Sequence, residues 1–300
     1  MSRVVQISII GKVHGNVNAD EVIGTRITLK KMYSSTGEVL PFVSARAIKF
    51  AIRKALKEKG FEIDPLEENP EAVETLRLAD SGRPEKYIDN DLFGYMTVRR
   101  GEVAVRRQAP IALSYFKALK DTPIKAEFAA RFPRSVEKES NPVPFEVEVA
   151  EFVGKLNCLI YDYIGDFTED KKQPKAPKDL PEKLDDKERE RRIRGFLEVL
   201  LTPSYVLPRR TNSLNIPEYF GALIALSNKG PVPIYQYMDF DFELNKINEE
   251  KLKLLTSRKE LENVPMFFID YENTDIQLPE KIQKVTITEA IDKILKFLLE

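Results

Sequence analysis

Residues 44–60, SARAIKFAIRKALKEKG, leave the chain little freedom. Ser44 is a natural N-cap and Gly60 a natural stop, with Phe61 placed to pack back on the last turn. At about 100° per residue, Lys49, Arg53 and Lys57 fall within about 60° of Arg46, while Ala47, Ile48, Ala51, Ile52, Ala55 and Leu56 fill the opposite side. Such a helix must dock its apolar side on a sheet and turn its basic side away. The basic side reads either as an ordinary solvated face or as a surface for phosphates.

The rest of the chain supplies that sheet. RVVQISII (3–10) is β-branched-rich and reads as a buried strand; FEVEVAEFVGKLNCLIYDYI (145–164) opens with Phe145, Val147 and Val149 alternating with Glu146 and Glu148. DDKERERRIRGFLEVLL (185–201) is a helix with acids in its first turns, where the helix dipole favours them. YFGALIALSN (219–228) is another strand. NEEKLKLLTSRKEL, MFFIDY and a final helix with Ile287, Ile291, Ile294, Leu295 and Leu298 on one face follow. Residues 61–144 are mixed in composition and read as a long insertion, and 169–184, EDKKQPKAPKDLPEKL, as a surface loop. The order is that of an α+β, ferredoxin-like plan, the one RNA-recognition modules use.

Composition narrows the function classes. Lys+Arg number 47 against Asp+Glu 48, for a net charge of -1, so a basic surface has to come from local clustering. Besides 46–57, arginines pair at Arg99/Arg100, Arg106/Arg107 and Arg209/Arg210. VRRGEVAVRRQAP reads as a hairpin with basic ends or as an exposed loop; Arg209 and Arg210 either pin a turn or grip a phosphodiester. Cys158 is the only cysteine, which fits a reducing, cytoplasmic setting. No apolar run nears the ~18 residues of a membrane helix, and the start does not read as a signal peptide. His14 is the only histidine, there is no GxSxG, CxxC, HExxH or P-loop pattern, and no cofactor or metal is expected. Asp20 in the first loop and Asp89 and Asp91 in IDNDLFG are candidates to assist metal-dependent RNA cleavage, and caps and turns are the commoner use of such residues.

VNADEVIGTRITLKKMYSSTGEVLPFVSARAIKFAIR, DNDLFGYM followed by RRQAPIALSYF, EFVGKLNCLIYDYIGDF, and ERERRIRGFLEVLL leading into IPEYFGALIAL together resemble the repeating backbone subunit of type I CRISPR Cascade complexes, in the DevR-like branch of the RAMP superfamily. The resemblance covers roughly residues 4–230. It implies an RRM-like palm (1–60 plus 145–240) with a thumb near 203–216, an inserted finger-like region (61–144), and a C-terminal α/β extension (241–300) packing on the palm. It implies a non-catalytic subunit of an I-B-like complex. Copies would assemble along CRISPR RNA and present it to target DNA, beside a large subunit and a guide-end-capping subunit. It places Asn16, Asn18, Thr25, Arg26, Ser44, Arg46, Lys49, Arg53, Arg209 and Arg210 at the RNA. It assigns Arg99, Arg100, Arg106 and Arg107 to finger contacts with RNA or target. A metal-dependent endoribonuclease using Asp20 and a free-standing RNA- or DNA-binding regulator are the alternatives.

Overall fold

The structure, a computed structural model, describes residues 3–17, 19–68, 78–97, 104–132, 141–208, 214–273 and 275–300. β1 (Val4–Gly15) is buried on both faces from Val4 through Ile10, with the two polar residues of that run satisfied internally, Gln6 by Val232 O and Ser8 by Asn157. β2 (Ala19–Ile23), β3 (Arg26–Leu29), β4 (Lys31–Tyr33) and β5 (Val39–Val43) lead into α1 (Ala45–Glu58). The Ser44 hydroxyl caps α1 by accepting from the Ala47 amide. Gly60, at φ 84°, closes it: the Gly60 amide donates to Lys57 O and that of Phe61 to Leu56 O. This two-bond closure needs a left-handed residue at Gly60.

The next segment holds the short pair β6 (Glu67–Glu68) and β7 (Leu78–Ala79), then α2 (Ile88–Phe93). The hairpin β8 (Tyr95–Thr97) and β9 (Val105–Arg107) follows, then β10 (Ile111–Leu113), β11 (Phe116–Ala118) and β12 (Lys125–Arg131). The remainder runs β13 (Val143–Tyr161), α3 (Thr168–Lys171), α4 (Asp186–Leu201), β14 (Glu218–Ser227), β15 (Phe240–Asp241), β16 (Lys246–Ile247), α5 (Glu249–Thr256), β17 (Met266–Asp270), β18 (Ile282–Lys284) and α6 (Ile287–Leu299).

The architecture is mixed α and β around one large, mostly antiparallel sheet in the order β18-β17-β14-β1-β13-β11-β5-β4. β1 lies antiparallel between β13 and β14, with Val4 opposite Tyr161 and Ser227. β13 does double duty. Its second half is central in this sheet, and its first half carries an arm made with β12 (antiparallel) and β3 (parallel), to which β2 adds. Two cores result. α1, α4 and α6 cover one face over Val5, Ile7, Ile9, Leu156 and Cys158. The stretch from Val232 to Val264, with α5, covers the other face over Ile10, Leu223 and Phe268.

Described parts of the 61–144 segment belong to the core. Ile88, Leu92, Phe93, Ile111, Phe116 and Ala118 lie in the core beneath α1, and β10 and β11 pair with β13. Three-residue strands are too short to leave a periodic signal, so composition alone hid their membership. Beyond residue 241 the chain extends the sheet through β17 and sets α6 beside α4, where Arg194 Nη1 meets Asp292 at 3.1 Å.

α1 crosses α4 at a glycine. A Cβ at Gly195 would lie 2.6 Å from two ring atoms of Phe61, the residue that closes α1. Gly195→Ala therefore overpacks this crossing by about 1–3 kcal/mol, outweighing the roughly 0.8–1 kcal/mol that alanine contributes to helix propensity. The expected outcome is a lower melting temperature, partly restored by adding Phe61→Leu. An unchanged or raised melting temperature for the single variant contradicts the packing account.

Candidate nucleic-acid interface

The apolar side of α1 is buried as its spacing requires, through Ile48, Ala51, Ile52, Ala55 and Leu56. Its charged side is not uniform. Arg46 is exposed and has no ion-pair partner among the described residues. Lys49 is half-buried, its ammonium 5.2 Å from the Phe93 ring centroid. Burial, and next the neighbouring Arg53 charge, lower its pKa from the ordinary lysine value. Arg53 stacks on the same ring at 5.0 Å and donates through Nε to Asp89 Oδ2 at 2.9 Å. Phe50, 49% exposed, carries Lys54 over its ring at 4.9 Å. Among the described residues, Arg46 at the start of the face and Lys57 at its end are exposed with no ion-pair partner, Lys49 is poised beside Arg46, and Arg53 is neutralised.

Asp89 and Asp91 are structural carboxylates. Asp89 also accepts from the Asp64 amide at 2.9 Å. Asp91 is fully buried. Its Oδ1 accepts from Arg107 Nη2 at 2.7 Å and from the Gly165 amide at 3.0 Å, and its Oδ2 from Arg192 Nη1 at 2.9 Å. Arg107 further donates to Asp170 and to the carbonyls of Asp91, Tyr163 and Asp166. Arg192 donates to the carbonyls of Pro84 and Glu85 and to Glu188. Arg107 is thus no nucleic-acid contact: it is buried and all its donors face partners. The sequence held a signal for this. In β9 the alternation sets Arg107 in phase with buried Val105 and turns Arg106 outward. The Arg106 side chain is exposed, and its backbone is clipped by Gln173, whose Oε1 accepts from the Arg106 amide at 3.0 Å and whose Nε2 donates to Arg106 O at 2.6 Å.

The first loop also divides. Asn16 is buried and donates to Glu148 O at 2.7 Å, so it holds the arm to β13 and is not open to a ligand. Thr25 is exposed, and its carbonyl accepts the Glu146 amide at 3.0 Å. Arg26 is exposed but paired with Glu146 at 2.6 Å. Asp20 pairs with Lys30 at 3.0 Å. The described ends of the 203–216 stretch meet beside this loop: the Leu207 amide donates to Asn215 O at 2.8 Å, and the Asn215 side-chain amide, in its satisfied orientation, donates to His14 O at 3.1 Å. Asn18, Arg99, Arg100, Arg209 and Arg210 lie outside the described residues. Among the described residues no group of three or more His, Cys, Asp or Glu could hold a metal ion. No helix among them is long and apolar enough to cross a membrane.

The sheet face away from α1, where RNA-recognition sheets stack bases, is largely filled by the chain itself. Lys155 Nζ donates to Tyr235 O at 2.9 Å and Met238 O at 3.0 Å, and Gln6 Nε2 to Val232 O at 2.9 Å.

Residues 12–242 match the profile of the family described as "CRISPR-associated negative auto-regulator DevR/Csa2". The chain belongs to this family. No curated protein matches it. Two solved structures share the fold of this DevR/Csa2 chain. One, titled "CRISPR RNA-guided surveillance complex, pre-nicking", is 12% identical with a TM-score of 0.60, over 98% of this chain and 99% of the other. The second, titled "CRISPR RNA-guided surveillance complex", is 14% identical with a TM-score of 0.61, over 98% of both chains.

The DLFG and RRQAP stretches meet at Asp91, so Asp91→Ala leaves two buried guanidiniums without their shared carboxylate. The expected loss is about 3–5 kcal/mol of stability, against no more than about 0.5 kcal/mol for Asp20→Ala at the surface. Denaturant melts of both variants check this; equal midpoints would refute the assignment.

Proposed function

We propose that this chain is a non-catalytic RNA-binding backbone subunit of a type I (I-B-like) Cascade complex. Copies of it would line the guide RNA and present that RNA to target DNA, beside a large subunit and a guide-end-capping subunit. In this reading β14, β1, β13 and β10/β11, with α1 and α4, are an RRM-like palm. Parts of 61–144 form the finger-like region, 203–216 carries the thumb, and 241–300 is an extension of the palm. The observation that carries the reading is the charge pattern of α1 in a chain of this family. Arg46 stands free at the capped start of a rigid helix while the neighbouring charge of Arg53 is satisfied internally. A cation held that way grips a phosphate without reading a base, which suits a subunit that must accept any guide sequence. Asn16 and Arg107 drop out of the contact set, and Arg53 becomes a residue that positions Phe93 and Asp89.

The endoribonuclease alternative is weaker, because Asp20 is held by Lys30 while Asp89 and Asp91 are spent in buried ion pairs. The family description's negative auto-regulation keeps a free-standing regulator as the second reading. Purification from the native host separates the two: a backbone subunit brings RNA of defined length and partner subunits, a regulator does not.

Arg46→Glu should weaken single-stranded RNA binding and reduce the slope of log affinity against log salt by roughly 0.7, with the melting temperature unchanged. Arg53→Glu should instead lower the melting temperature, because it sets a carboxylate against Asp89. An Arg46→Glu protein that binds like wild type removes α1 from the interface.

Lys49 adds a pH signature. Its folded-state pKa is lowered, chiefly by burial, so its charge is lost, as pH rises, before that of an ordinary lysine. RNA affinity should therefore fall on the alkaline side before an ordinary lysine, near about 10.4, would titrate. Lys49→Met should flatten that limb. A limb identical in both proteins would count against Lys49 as a contact.

A further inference from the structure

We propose that Tyr115, stacked on Phe42, is a base-stacking platform for single-stranded RNA on the sheet face opposite α1. The proposal rests on the RNA-binding reading above. β11 and β5 pair with Phe116 opposite Val43 and Lys117 opposite Phe42. Phe116 and Val43 lie in the core beneath α1, so strand alternation turns Phe42 and Lys117, and with them Tyr115, to the far face. The chain that covers this face packs against Leu119 but leaves Lys117 exposed and Tyr115 49% exposed. The Phe42 and Tyr115 ring centroids are 4.9 Å apart, with planes 22° from parallel. Phe42 thereby takes one side of the Tyr115 ring and fixes its plane.

The charges that follow the ring along the chain select the ligand. Lys117 and Lys120 are exposed, and neither has a carboxylate partner among the described residues. The Lys120 ammonium sits 4.0 Å from the Phe242 ring centroid, and the nearby Asp121 carboxylate accepts from the Val39 amide at 2.7 Å. A protein partner docking on an aromatic patch wants contiguous apolar surface, and these lysines interrupt it. A fixed aromatic face flanked by unpaired cations is complementary to a polyanion carrying flat bases, the pattern by which single strands are held without sequence preference. Phe42 precedes Arg46 by four residues, so their Cα atoms are at most about 14 Å apart. One strand can touch both.

The test uses the full chain and a single-stranded oligoadenylate RNA carrying 2-aminopurine, whose fluorescence falls when it stacks. Tyr115→Ala should weaken binding roughly 5- to 150-fold and abolish the quench, with the salt slope and melting temperature unchanged. Tyr115→Phe should behave as wild type. Tyr115→Leu, which keeps apolar bulk on Phe42, should lose the quench as alanine does, and so guards against a folding artefact. If wild type binds this RNA and Tyr115→Ala binds and quenches equally, the platform is refuted while the RNA-binding reading stands. If wild type does not bind single-stranded RNA, both fall.

Discussion

Two guanidiniums sharing one buried carboxylate hold this molecule in register. Asp91, from α2, meets Arg107 from β9 and Arg192 from α4, and it also takes the amide of Gly165 from the turn after β13. Four pieces of chain, spread from residue 91 to residue 192, converge there. Charges taken out of water cost several kcal/mol each unless matched and hydrogen-bonded. Here nearly every donor is answered by a carboxylate or a carbonyl, so only one arrangement of these pieces satisfies the cluster. That arrangement sets the Phe93 ring under Lys49 and Arg53, and therefore decides which charges of α1 are left for a ligand. In the proposed reading, the ligand face is organised from behind by buried ions.

The second constraint is that the sheet is used on both sides. α1, α4 and α6 cover one face, and the Val232–Val264 stretch fills most of the other. Bases cannot lie across the middle of such a sheet. What remains open is the helix start at Arg46 and the sheet end at Phe42 and Tyr115, joined by the few residues that run from β5 into α1. The division suits a subunit that holds a backbone in fixed geometry and leaves base edges free.

Local chemistry was readable and long-range pairing was not. Ser44, Gly60 and the spacing of Ile48, Ile52 and Leu56 specify α1 with no outside help, and its cap, stop and buried side follow that reading. The strands read at 3–10, 145–164 and 219–228 and the final helix were legible for the same reason, although β1 runs on to Gly15, where the sequence suggested a loop. Arg53 looked like its neighbours because Asp89 lies 36 residues away and nothing local announces the bond. Arg107 looked like half of a basic pair, although its phase with Val105 pointed inward. Asn16 lay in a polar loop, yet its amide spans to Glu148, 132 residues on. The 61–144 segment looked peripheral because its core residues come in groups of three. A resemblance assigns a stretch its neighbourhood; burial and pairing decide which side chains in it are free.

The most direct test of the central claim, that RNA runs over the start of α1, is ultraviolet cross-linking of the native RNA-bearing protein followed by mass spectrometry of the attached peptides. The account predicts cross-links concentrated within residues 42–54 and 115–120, and none on Asp91, Arg107 or Arg192. Cross-links confined to α4 and α6, with residues 42–54 unmarked, would contradict it.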